Sequence, residues 1–147
     1  MTSKELQQYL LREFPQENAC CEWKEMKNLK NSFAGDEKND VVSYVSAIAN
    51  MEGGHLVIGV QDKTLEIVGT DLTKFNLNAQ SAVWKLVEHC TNLSSEGLDI
   101  CEYVTEDTQK VVWVIHIPKH LPRRPVYAHK KAWQRVEDSL VEMTQER

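Results

Sequence analysis

Ser46-Ala47-Ile48-Ala49-Asn50-Met51-Glu52-Gly53-Gly54-His55-Leu56-Val57-Ile58-Gly59-Val60-Gln61-Asp62 is the stretch that decides the fold. Its first half continues a helical spacing that starts after Asn39 or Asp40, with Val41, Val45, Ile48 and Ala49 forming an inward stripe. Gly53-Gly54 then supplies a stop, because glycine enters the left-handed conformation that closes a helix without a Cβ penalty. His55 to Val60 follows at once and is apolar on both parities, Leu56, Ile58 and Val60 against Val57. A strand covered on both faces has that pattern. Helix, glycine turn and doubly covered strand together predict an α/β fold of the α+β kind, a mixed sheet layered with helices.

The flanks fill in the rest. Thr2 with Glu5 three residues later forms a capping box, and Leu6, Tyr9, Leu10 and Phe14 recur at helical spacing before Pro15. Ala19 to Lys24 reads as a short strand, with Cys21 and Trp23 on one face and Glu22 and Lys24 on the other. Asn28 to Lys38 is a polar loop. Asp62-Lys63-Thr64 turns the central strand into another short one, Leu65 to Val68, closed by Gly69. Asn78 starts a third helix with Val83, Leu86, Val87 and Cys90 inward. Strands at Leu98 to Val104 and Val111 to Ile117 follow, joined by the turn Glu106-Asp107-Thr108. Pro125 to His129 and Ala132 to Val136 read as two short strands around a Lys130-Lys131 turn, and Ser139 to Arg147 as the opening of a helix.

A length of 147 residues suits one domain, and 41% hydrophobic with 27% charged residues is ordinary globular usage. Collagen-like, mucin-like and disordered classes are excluded. The longest apolar run, Val111 to Ile115, is far short of the roughly 20 residues a bilayer requires. No apolar segment of a signal peptide follows Met1, and Cys20, Cys21, Cys90 and Cys101 form no C-x-x-C pair. The cysteines read as small buried residues of a reducing compartment, and the expected location is cytoplasmic, with no membrane partner.

The formal charge of −5 conceals a strong asymmetry. Lys119, Arg123, Arg124, Lys130, Lys131 and Arg135 fall within residues 119–135, a segment without a single acid. His120, Tyr127, His129 and Trp133 are interleaved with them. Cations beside aromatic faces suit a phosphate-bearing polymer, with Tyr127 and Trp133 stacking on it or packing beneath the charges. The same segment also suits a solvated hairpin that pairs with the surplus carboxylates elsewhere, and charge runs are commonly that.

A second constellation is acidic. Glu17 and Glu22 lie at the first strand and Asp62 just past the central one. If those strands are neighbours, Glu22 and Asp62 can converge, and such carboxylates can hold magnesium or manganese for phosphodiester cleavage, with Lys24 on a phosphate oxygen. With 22 acids in the chain, chance triplets are also common. Other chemistries lack their parts. Gly53, Gly54 and Gly59 do not make a P-loop, so no ATP site is expected, and neither G-x-S-x-G nor H-E-x-x-H occurs. His116, inside an apolar strand, reads as a hydrogen-bonded structural residue.

Five ordered blocks resemble one known family. They are Glu17 with Glu22-Trp23-Lys24, Ser46 to Gly54, Leu56 to Asp62, Val68-Gly69, and the pair Arg124-Pro125-Val126-Tyr127 and Trp133-Gln134-Arg135-Val136. Together they resemble the Schlafen-type Alba-like domain. The resemblance implies a single two-layer Alba-like domain at 17–139, preceded by an amino-terminal helix at 1–16 and followed at 140–147 by the start of a C-terminal extension. It further implies a nucleic-acid-binding, most plainly DNA-binding, module of a longer transcriptional regulator with a downstream domain. Homodimerisation or a protein-interaction role is the alternative for such folds. In vertebrate Schlafens, paired copies form a metal-dependent endoribonuclease, whose three acids carry over to Glu17, Glu22 and Asp62. This sequence departs from the pattern at Trp23, Ile48, Gln61 and Glu137, and holds one lobe where that nuclease has two.

Overall fold

The structure is a computed structural model and describes residues 1–14, 21–25, 41–61, 64, 66–70, 78–128, 131–136 and 139–142. Helix α1 (Ser3–Glu13) opens the chain on the expected capping box. The Thr2 hydroxyl accepts the Glu5 amide, and the Glu5 carboxylate accepts the Thr2 amide at 3.0 Å. Its apolar stripe buries Leu6 and Leu10. Strand β1 (Cys21–Lys24) follows, then α2 (Val41–Asn50), β2 (Gly54–Ile58), α3 (Ala79–His89), β3 (Asp99–Val104) and β4 (Val111–Ile117).

These strands form a four-stranded sheet in the order β1-β2-β4-β3. Strand β2 pairs parallel with β1 and antiparallel with β4, so it is central, as its two-sided apolarity demands. Parity divides the residues between two cores. Trp23, Val57, Val112 and Val114 pack with Leu6, Leu10 and Phe14 under α1, whereas Leu56, Ile58, Trp113 and Ile115 pack with α2 and α3. Helix α3 is capped by Asn78, whose side chain accepts the Ser81 amide, and buries Ala82 and Leu86 with Cys90 behind them.

The carboxyl-terminal part builds a second sheet from β5 (Tyr127–Ala128), β6 (Lys131–Val136) and β7 (Ser139–Glu142), in that order. This corrects three readings of the sequence. Ser139–Glu142 is a strand and not a helix: Arg135 pairs with Leu140 and Val136 with Ser139, and β-ladder pairing overrides the helical look of so short a segment. Ala128 pairs with Lys131, so Lys131 lies on strand β6 and not in a turn. Helix α2 does not bury a stripe: all ten of its residues are buried, because the second sheet covers the side that the stripe leaves polar.

A fourth difference concerns the segment after β2. Instead of a second strand, a single antiparallel bridge joins Val60 to Ile67, with the Val68 and Gly69 amides both donating to the Gly59 carbonyl. Gly59, at φ +111°, faces the backbone of Val111 so closely that a Cβ would lie 2.9 Å from its carbonyl oxygen. No helix among the described residues is long and apolar enough to cross a membrane.

Candidate nucleic-acid interface

The end of α2 organises the cationic segment. The Gly53 amide donates to the Ile48 carbonyl at 3.0 Å, and Gly53 has φ +74°. A Cβ at Gly53 would stand 2.7 Å from the Ile117 oxygen, so only glycine lets the end of β4 lie across the helix terminus. The chain then continues over that terminus, where the His120 amide donates to the Ala49 carbonyl at 2.9 Å. Carbonyls at a helix C-terminus carry partial negative charge, which suits the cations that follow.

Asn50 fastens the hairpin to the same helix. Its Oδ1 accepts the Val126 amide at 2.6 Å, while its Nδ2 donates to the carbonyls of Val126 at 2.9 Å and Trp133 at 2.8 Å. Ser46 Oγ adds a donor to the Val126 carbonyl at 2.8 Å. These polar side chains stand in a fully buried helix, and each is hydrogen-bonded to backbone groups of the carboxyl-terminal segment. The A-N-x-x-G-G block is therefore a clamp on the second sheet. Sequence periodicity missed it, although a polar residue inside a buried helix is the signal that could have shown it.

Each cation has its own place. Lys119 Nζ lies 3.0 Å from Glu52 Oε2, both exposed, at the rim of an open depression of about 600 Å³ that Asn50, His120 and Pro122 also line. Leu121-Pro122-Arg123-Arg124 is a tight turn in which the Arg124 amide donates to the Leu121 carbonyl at 3.0 Å. Proline holds its second position and Arg123, at φ +60°, its third, the type II arrangement in which glycine or asparagine is preferred. Both arginines are exposed. Lys131 and Arg135 hold positions on β6 two residues either side of Trp133, and Lys130 lies outside the described residues.

The two aromatic residues separate. Tyr127 is 37% exposed, and its backbone pairs with Thr91 in both directions. Trp133 is 5% exposed and packs with Val126 and α2. Trp133 is a core residue and presents no open ring face to solvent.

The acidic constellation is described at one member. Strands β1 and β2 are neighbours, and Glu22 sits at 6% exposure with its Oε1 3.7 Å from Lys24 Nζ. That ammonium also lies 5.5 Å from the centre of the Tyr44 ring. Glu17 and Asp62 lie outside the described residues. Among the described residues no three histidine, cysteine or acidic side chains converge as a metal site. The described member of the set, Glu22, faces an ammonium.

A further polar cluster lies on the α1 side of the sheet. His55 and His116 are cross-strand partners on β2 and β4 with ring centroids 4.7 Å apart, and Phe14 packs 4.7 Å from His55. His116 Nε2 lies 3.4 Å from Cys101 Sγ, so this histidine is hydrogen-bonded as expected. Burial and the neighbouring His116 both lower the proton affinity of His55. Burial, with Asp99 nearby, raises the Cys101 thiol. Cys21, Cys90 and Cys101 are in the thiol form, with no disulfide between them.

The fold and these blocks agree with the comparisons. The chain belongs to the Schlafen, AlbA_2 family, whose pattern matches residues 17–144. No curated protein matches it. Among solved structures, the DIP2311 protein from Corynebacterium diphtheriae is similar at 20% identity with a TM-score of 0.61 over 85% of this chain. This chain spans 22% of that protein's length, and the likeness is one of fold. The N-terminal domain of a RecG-related protein from Nitrosomonas europaea aligns at 19% identity with a TM-score of 0.45, covering 87% of this chain and 80% of that one.

Proposed function

We propose that this domain binds nucleic acid by its phosphates, through Lys119, Arg123, Arg124, Lys130, Lys131 and Arg135, as the amino-terminal module of a longer transcriptional regulator. Membership of the Schlafen, AlbA_2 family supports association with nucleic acid. The observation that carries the reading is Arg123. It holds a left-handed backbone conformation where glycine would be easier, beside a second exposed arginine, at the terminus of a buried helix. Strain of that kind persists where the side chain is useful.

The test is affinity for a DNA duplex against salt. Each phosphate contact contributes about 0.9 to the log–log slope, so Arg123→Ala/Arg124→Ala lowers the slope by about 1.8. A salt-independent affinity, or an unchanged slope in that variant, removes the basic turn from the reading. The Schlafen-type ribonuclease reading has narrower support, the buried Glu22 beside Lys24 on the sheet face. Incubation with structured RNA and manganese tests it, and cleavage lost in Glu22→Gln would favour the enzyme.

A further inference from the structure

Three of the four tryptophans are core residues: Trp23, Trp113 and Trp133 are 0%, 1% and 5% exposed. Trp84, on α3, is 67% exposed. The helix does not need it there. Its inner face is Ala82, Leu86 and Cys90 with Val83 and Val87 alongside, and its start is fixed by the Asn78–Ser81 capping box. Gln80, Trp84 and Glu88 form the outward stripe, four residues apart, where any polar helix former would serve. An indole left in water forfeits the gain that its burial would bring.

The carboxyl end of α3 is stitched to the cationic segment. Thr91, directly after the Cys90 cap, exchanges both backbone hydrogen bonds with Tyr127, at 2.9 and 3.0 Å. Asn92 Nδ2 donates to the Pro125 carbonyl at 3.1 Å. The turn bearing Arg123 and Arg124, the half-exposed Tyr127 and the end of α3 are thus contiguous. Trp84 precedes the last helical residue, His89, by five residues, about 7.5 Å along the helix axis. Roughly two nucleotides of a stacked strand cover that distance at ~3.4 Å each.

We propose that Trp84 is a base-stacking residue and that the preferred ligand is single-stranded nucleic acid, its phosphates on Arg123 and Arg124 and its bases on Tyr127 and Trp84. This rests on the reading that the domain binds nucleic acid, and names the kind. A duplex offers these rings no open base face, whereas a single strand stacks on aromatic side chains while cations hold its backbone. Lys85 and Glu88, the charged residues near Trp84 along α3, have opposite signs, so attraction for the polymer comes from the arginines and the indole supplies the base contact.

The indole provides its own readout, because the other three are buried. An oligothymidylate and an oligouridylate quench the tryptophan emission of the protein, and a DNA hairpin duplex of equal phosphate count does not. Trp84→Ala weakens single-strand affinity by ~5- to 100-fold, the range that stacking of one base supports, and leaves duplex affinity within about twofold. Trp84→Phe, which keeps a ring, restores most of the loss. Equal single-strand affinity in Trp84→Ala, or an equal loss on duplex, overturns the proposal. A change in sedimentation of Trp84→Ala also overturns it, since the indole would then serve contact between copies. Arg123→Ala/Arg124→Ala separates the two readings. Unchanged binding in that variant, with loss in Trp84→Ala, removes the basic turn and keeps the stacking residue. No binding of strand or duplex by the parent protein removes both.

Discussion

The Asn50 side chain and the Val126 backbone hold each other in both directions, one hydrogen bond each way, at 2.6 and 2.9 Å inside the core. In Asn50→Ala the Val126 amide loses its partner, while the Val126 carbonyl keeps Ser46. A buried amide left unpaired costs about 1–3 kcal/mol. Asn50→Asp should be worse at neutral pH, because it sets a carboxylate against two carbonyl oxygens. Urea unfolding of the three proteins checks the order, and equal midpoints would show that the clamp contributes nothing.

His55 makes stability depend on pH. Burial, and then His116, hold its imidazole below the ordinary value of 6.5. The unfolded chain therefore takes up a proton near 6.5 that the folded chain still refuses, so stability rises with pH through this window and falls as the solution is acidified below it. Urea midpoints at about pH 7.5 and about pH 5.5 should differ in that direction, and His55→Phe should narrow the difference.

Arg123→Gly should separate folding from binding. Glycine relieves the left-handed conformation at φ +60°, so the variant should be as stable as the parent or more so, by up to about 1 kcal/mol. Its duplex affinity should fall and its salt slope decrease by about 0.9. Thermal melting beside a salt titration decides it. A variant that loses stability would show that the arginine side chain supports the turn.

Glu52 occupies Lys119, and the pair is exposed, so it adds little to stability. Glu52→Gln should leave the melting temperature unchanged while raising affinity for DNA and steepening its salt dependence, since Lys119 becomes available to phosphate. In Glu52→Gln/Lys119→Ala the gain should vanish. An equal gain in the double variant would mean that Glu52 acts by general repulsion and not through Lys119.

Elements whose partners lie close in sequence, or whose pattern records burial directly, were legible. The Thr2–Glu5 box, the Asn78 cap and the two-sided apolarity of β2 each reflect a constraint written into the residues themselves. What was hidden depends on long-range pairing. The polar side of α2 looked like a solvent face because nothing local shows that a sheet more than 75 residues onward covers it. Ser139 to Glu142 became a strand because β6 stood ready beside it. Trp133 was ambiguous for the same reason: an aromatic among cations is core or platform according to what lies on the other side of its strand. At the site, the charge asymmetry was visible in the sequence, but the Glu52 contact and the isolation of Trp84 on the outer face of α3 required the fold.

Helix α2 has no wet side, and this has a mechanical consequence. It cannot roll or slide without prising open one of the two layers that grip it. A pull on the hairpin passes through Asn50 and Ser46 into α2 and so to the layers packed on both of its sides.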